Sequence, residues 1–191
     1  MAVSRLTQTS LQNAFQKYNT VWDGVSAVGS MEAISAVTLS ATQSTVEFNN
    51  IPQTYTHLHL RIFGAGLSAG NIHLNFNGDS TAANYYSHYL EGNGVAAAAG
   101  SLAGSSYPWA HCVSSASSSY PTVAIVDITD YTNTNKNKIA RSIGGSDING
   151  SAGYSDIMSG GWFSTNAITS ILISHTSSYG AYSTFSLYGV K

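Results

Sequence analysis

Between His57 and Gly78 the chain alternates apolar and polar residues in two runs. Leu58, Leu60 and Ile62, then Ile72, Leu74 and Phe76, occupy every second position with polar neighbours between them. That is the period of strands buried on one face only. The seven residues from Gly64 to Gly70 include three glycines, enough backbone freedom to reverse the chain in a stretch too long for a tight two-residue turn. The spacing predicts two strands of one antiparallel pair. Their six large apolar side chains point into the core, and His57, His59 and His73 share the polar face.

Short runs of the same kind follow to the end of the chain. Strands are predicted near 33–39, 45–48, 57–63, 71–77, 84–90, 109–113, 121–128, 138–143, 156–163, 168–174 and 183–190. No helical stripe separates them, which argues against βαβ units and a parallel sheet. Strands this short and numerous build a sandwich or barrel. The expectation is an all-β fold, an antiparallel β-sandwich over residues 31–191. Two stretches of small residues, Gly92–Ser106 and Ser114–Ser119, are predicted to be loops, which sit at a variable rim or against a neighbour.

Residues 1–30 read differently. Leu11, Ala14, Phe15 and Tyr18 fall at i, i+3, i+4 and i+7, and Thr9 with Gln12 forms a capping-box pattern, predicting a short helix over 10–18. Such a helix is too short to stand alone in water. Val21, Trp22 and Val25 add large apolar groups with little length in which to hide them. The segment therefore docks, either on its own domain or on a partner.

Composition sharpens that choice of settings. Only 8% of the 191 residues are charged, against about a quarter in an ordinary soluble domain, while Ser, Thr, Asn and Gly take the vacated positions. Charge normally keeps freely diffusing proteins apart, so this surface suits a chain whose faces are covered by neighbours. The net charge is −2, and the basic residues form no stripe that could follow a phosphate backbone, so nucleic acid is not an expected partner. No apolar run approaches the roughly 20 residues of a membrane span, and no membrane partner is expected. The single cysteine, Cys112, has no intramolecular disulfide partner. No apolar core of signal-peptide length follows a basic start, so folding in a cytosol is expected.

Candidate chemistry is sparse. Gly66-Leu67-Ser68-Ala69-Gly70 matches the G-x-S-x-G nucleophile elbow, which requires a strand before the serine and a helix after it; here a strand follows, and the glycines serve a turn. His57, His59 and His73 could approach a metal if a further ligand and an orienting shell converged on them, but no other His or Cys lies nearby in sequence, and a solvated or interface-facing row is expected. His88, His111 and His175 read as core-edge or surface residues. Asp127, Asp130, Asn133 and Asn135 form an oxygen-rich run without EF-hand spacing, and Asx side chains also make turns. Nine acidic residues leave several carboxylate pairs open for glycosidase-type chemistry, with none singled out by spacing. No catalytic residue, cofactor or metal is expected. Twelve tyrosines, with Tyr85, Tyr86 and Tyr89 close together and Tyr107 beside Trp109, suit interfaces and sugar-stacking sites as well as plain strand packing.

Several stretches resemble the small single-domain β-sandwich proteins encoded among the structural genes of tailed bacteriophages, found as head-decoration or cement proteins and as parts of tail or fibre appendages. The likeness lies in Phe48-Asn49-Asn50-Ile51-Pro52-Gln53-Thr54-Tyr55-Thr56-His57-Leu58, in Asn75-Phe76-Asn77-Gly78-Asp79 followed by Asn84-Tyr85, in Ala167-Ile168-Thr169-Ser170-Ile171 and in Ser186-Leu187-Tyr188-Gly189-Val190. The opening Ser4-Arg5-Leu6-Thr7-Gln8 and Val21-Trp22-Asp23-Gly24 look like a virion-attachment arm. The resemblance implies a jelly-roll with a place in a virion. It further implies a homotrimer bound to the major capsid protein or another virion protein through Leu6, Leu11, Phe15, Tyr18, Val21 and Trp22. A tail fibre or tail-tip module that binds a host surface glycan is the alternative. A polysaccharide-degrading enzyme is a third reading; the repeats of the β-helix usual for phage enzymes of that kind are missing.

Overall fold

The computed structural model describes residues 30–103, 110–115, 120–148 and 152–191. The expected helix over 10–18 and all six arm residues from Leu6 to Trp22 lie outside the described residues, as do Tyr107 and Trp109. Contacts set Met1–Glu32 apart from a second compact unit, Ala33–Lys191. Twelve strands are described: β1 (Met31–Thr38), β2 (Gln43–Phe48), β3 (His57–Gly64), β4 (Gly70–Phe76), β5 (Tyr85–Gly92), β6 (Ala97–Ala103), β7 (Ala110–Ser115), β8 (Thr122–Thr129), β9 (Lys138–Ile148), β10 (Ala152–Trp162), β11 (Ile171–Tyr179) and β12 (Thr184–Val190). They form two antiparallel sheets, an eight-stranded one ordered β1-β12-β3-β8-β9-β10-β5-β6 and a four-stranded one ordered β2-β11-β4-β7.

β3 and β4 are strands, as the alternation predicts, but not one hairpin. β3 pairs with β12 and β8 in the large sheet, and β4 with β11 and β7 in the small one. The glycine-bearing stretch between them crosses from sheet to sheet. The physical reason is economy of burial: in one sheet the two apolar rows would lie side by side, whereas in opposite sheets they cover each other. Leu58, Leu60, Ile62, Ile72, Leu74 and Phe76 are all buried and belong to one core cluster with Ile128, Ile171, Ile173, Phe185 and Leu187.

The crossover also dismantles the predicted histidine row. His57 and His59 sit on the outer face of the large sheet, while His73 is on the small sheet and is buried at 5% exposure. Among the described residues no group of three or more His, Cys, Asp or Glu side chains could hold a metal ion.

The stretch expected to be a loop after Gly92 contains β6, which pairs with β5 from Tyr86↔Ala103 to Gly92↔Ala97. Its alanines give no alternation to read, and the ladder is made by backbone groups that every residue carries. The turn into it is closed by Asn93, whose side-chain oxygen accepts the amides of Val95 (3.0 Å) and Ala96 (2.8 Å). At Gly94 the backbone is left-handed, φ +82°, a conformation that costs glycine little. β7 runs on through Ser114 and Ser115, into the second predicted loop.

One end of the sandwich is tied by side chains of the motifs quoted above. Asn77 has φ 54° and Gly78 φ 65°, with the Asp79 amide donating to the Phe76 carbonyl at 3.0 Å, a turn that both residues tolerate. The Asn77 side chain donates to the Ala167 carbonyl (2.8 Å) and accepts the amides of Thr169 (2.8 Å) and Ser170 (3.1 Å). Gln53 bridges the carbonyls of Ile51 and Ile168, and the Tyr131 hydroxyl donates to the Pro52 carbonyl. Residues 167–170 are thereby held off the ladder, and β11 starts at Ile171 rather than at Ile168.

Candidate functional site

The oxygen-rich run folds as a turn between β8 and β9. Asp130 is left-handed (φ 49°) and receives Lys136 Nζ at 2.7 Å. The cation next to it holds the Asp130 carboxyl below the usual range. Lys138, only 1% exposed, sends its ammonium into the turn and donates to the carbonyls of Asn133 (2.6 Å), Lys136 (2.7 Å) and Thr165 (3.1 Å). The chain's own lysines engage this turn, Lys136 through the Asp130 carboxylate and Lys138 through the Asn133 carbonyl.

Ser68 lies in the crossover between β3 and β4, exposed, its hydroxyl donating to the Ala69 carbonyl at 3.3 Å. No helix follows it; β4 begins at Gly70. The flanking glycines make room for β11. A Cβ at Gly66 would overlap the His175 ring, and one at Gly70 the Thr176 hydroxyl. His175 is buried, and its Nδ1 accepts the Ser177 amide at 3.0 Å, which puts the proton of the neutral ring on Nε2. Burial lowers its pKa. The motif is therefore a close approach of backbone to an imidazole.

The tyrosines separate by strand parity. Tyr85 is buried between Phe76 and the carboxylate of Asp79, where burial raises its hydroxyl to about 12. Tyr86 points out of the same strand. Asp79 accepts Trp162 Nε1 (2.7 Å), Asn84 Nδ2 (2.8 Å) and the Thr81 amide (2.9 Å). Burial pushes its carboxyl up, but those donors outweigh it and bring the group down to about 2.

The candidate functional surface is the outer face of the β8–β9–β10–β5–β6 half of the large sheet, which exposes apolar side chains over an interior that mixes apolar residues such as Val126, Ile128, Met158 and Trp162 with polar ones. Beneath it, where β7 runs across β9 and β10, the buried side chains include Ser87, Ser142, Ser146 and Asp156, each engaged by a neighbour. On the outer face the register aligns Arg61↔Ile125↔Ile143↔Ile157↔Leu90↔Ala99 in a single row across six strands. Ile143, Ile157 and Leu90 are 57%, 51% and 53% exposed. The next row begins with Phe63↔Val123, and the far end of the face carries Ile139, Tyr86 and Phe163. Eight of the twelve large hydrophobic side chains exposed among the described residues lie on this one face.

Two charges at the β3–β8 end of the face, Arg61 and Asp127, have neighbours within the chain. His59 Nδ1 donates to Asp127 Oδ1 at 2.7 Å and Arg61 Nε donates to His59 Nε2 at 3.3 Å. Asp127 is the register partner of Arg141, and the Arg61 guanidinium stands 5.7 Å over the Tyr188 ring. Two depressions interrupt the face. One, of about 280 Å³, is lined by Tyr86, His88, Ile139 and Phe163; a broader one lies by Arg61, Phe63 and Val123. The Tyr86 and His88 rings stand 5.0 Å apart.

The sequence reading missed this face, although its signal is present. Ile139 and Ile143 alternate with Ala140 and Ser142, and parity alone does not say which set points inward. Comparison with family models, with curated proteins and with solved structures gives no match.

Proposed function

We propose that the protein is a non-enzymatic structural component of a tailed-phage virion, a jelly-roll that decorates or cements the capsid and engages the shell or neighbouring copies through residues 1–30. The observation that carries this reading is the row of exposed apolar side chains on the outer face of the large sheet, a surface suited to being covered by protein. The scarcity of charge and the quoted motifs support it.

Strand order supports the jelly-roll part. Taken in chain order, β1, β3, β8 and β12 fall in the large sheet and β2, β4, β7 and β11 in the small one. The neighbours β1-β12-β3-β8 and β2-β11-β4-β7 are those produced by winding four antiparallel strand pairs into two sheets. On this reading β5, β6, β9 and β10 are additions that widen one sheet.

The test is the number of copies in purified virions, by quantitative mass spectrometry, for the full chain and for a chain lacking residues 1–24. Hundreds of copies, lost on truncation while the β domain stays folded and soluble, is the expected result. Absence from virions refutes the reading, and normal occupancy by the truncated chain refutes the role of the arm. The aromatic hollow at Tyr86 and Phe163 favours a second reading, a tail-tip module that stacks a host surface glycan, for which tens of copies or fewer are expected.

A further inference from the structure

We infer that the outer face of β8–β9–β10–β5–β6 is where a second copy of this chain packs, sheet face against sheet face, about a two-fold axis near the row Ile125, Ile143, Ile157 and Leu90. This deepens the assembly reading above by naming the partner and the surface.

Area is the first argument. Eight large apolar side chains about half exposed present of the order of 700 Å². That exceeds the roughly 300–600 Å² of the largest apolar patch on a typical monomer, and it approaches the roughly 800 Å² that each partner contributes to a standard interface. Charge is the second. Two-fold symmetry brings a residue on the axis against its own copy, so a face that pairs about an axis at its central row must be uncharged along that row. Of the bordering charges, Asp127 is held by His59 and Arg61 stands over Tyr188, while Arg141 and Asp147 lie off the central row. The central row from Ile125 to Ala99 carries none. A strongly charged partner would find nothing to pair with along that row. Symmetry is the third: one such face, rather than two different complementary ones, pairs isologously and closes at two copies. The trimer implied by the sequence resemblance does not use the face this way.

The inference is tested by light scattering on the purified full chain at about 100 µM, where even a micromolar complex is nearly complete. The expected mass is twice the chain's 20.1 kDa. Ile143→Asp with Ile157→Asp is expected to halve it, with the near-UV circular dichroism of the sandwich unchanged. Glu47→Lys, on the exposed side of β2 in the four-stranded sheet, is expected to leave the dimer intact. Should the aspartate pair unfold the protein, Ile143→Ser with Ile157→Ser is measured instead, with the same expectation. A wild-type mass of one chain, a trimer, or a folded double variant that keeps the wild-type mass overturns the inference. Virion occupancy does not enter this measurement. A dimer absent from virions refutes the proposed function alone, and a monomer present in hundreds of copies refutes the inference alone.

Discussion

Replacing Lys138 with methionine isolates the contribution of its buried ammonium, because methionine keeps most of the stem volume and removes only the charged head. In the wild type that head serves the carbonyls of Asn133, Lys136 and Thr165. Hydrogen bonds from charged donors are worth about 1.5–3 kcal/mol each, but the ammonium also gives up hydration, so the net value is far below the gross sum. What the variant is left with is three carbonyls robbed of their donor. At about 1 kcal/mol for each such orphaned acceptor, Lys138→Met is expected to lose about 3 kcal/mol, a large share of the roughly 5–15 kcal/mol of a typical domain. For a chain of this size that corresponds to roughly 6–12 °C in Tm. Urea unfolding followed by tryptophan fluorescence measures it, since Trp162 is buried at the base of the same hairpin. A loss under about 1 kcal/mol would mean that water replaces the ammonium at no cost, and the reasoning fails.

Two further outcomes follow from single contacts. A Cβ at Gly189 would overlap the Tyr55 ring, so Gly189→Ala is expected to destabilise the domain by about 1–3 kcal/mol, and Tyr55→Ala should recover part of that in a double-mutant cycle. Asp79 titrates at about 2 in the fold against an ordinary 3.8, so its stabilisation is fully present above pH 4 and is lost as pH falls toward 2. The shift corresponds to at most about 2 kcal/mol, less what solvent screening removes from a half-buried group. Urea midpoints between pH 5 and 2 should fall less steeply for Asp79→Asn; equal slopes refute the assignment.

Secondary structure and burial were legible wherever apolar residues alternate without a break, as at Leu58–Leu60–Ile62 and Phe185–Leu187. Pairing was not, because alternation tells which face of a strand is buried and nothing about its neighbour. β3 and β4 are adjacent in sequence yet lie in opposite sheets. β6 was hidden because alanine and glycine carry no hydropathy contrast. The apolar outer face was hidden for another reason: in β9 and β10 isoleucines stand outside while the inward set mixes Ala140, Met158 and Trp162 with Ser142, Ser146 and Asp156, so parity does not tell which side is buried. Lys138 reads as a surface cation by residue type, and the carbonyls of Asn133, Lys136 and Thr165 make its burial possible.

The position of the last two strands has a consequence for synthesis on the ribosome. β12 lies between β1 and β3, and β11 between β2 and β4, so the first four strands to emerge lack these shared neighbours until residues 171–190 have been made. Pairings of such long sequence separation form slowly, and a nascent chain in that interval displays unpaired strand edges together with the isoleucine row. The two sheets are therefore completed only once β11 and β12 have been made, and a chain cut short before Thr184 leaves β1 and β3 without the strand that lies between them.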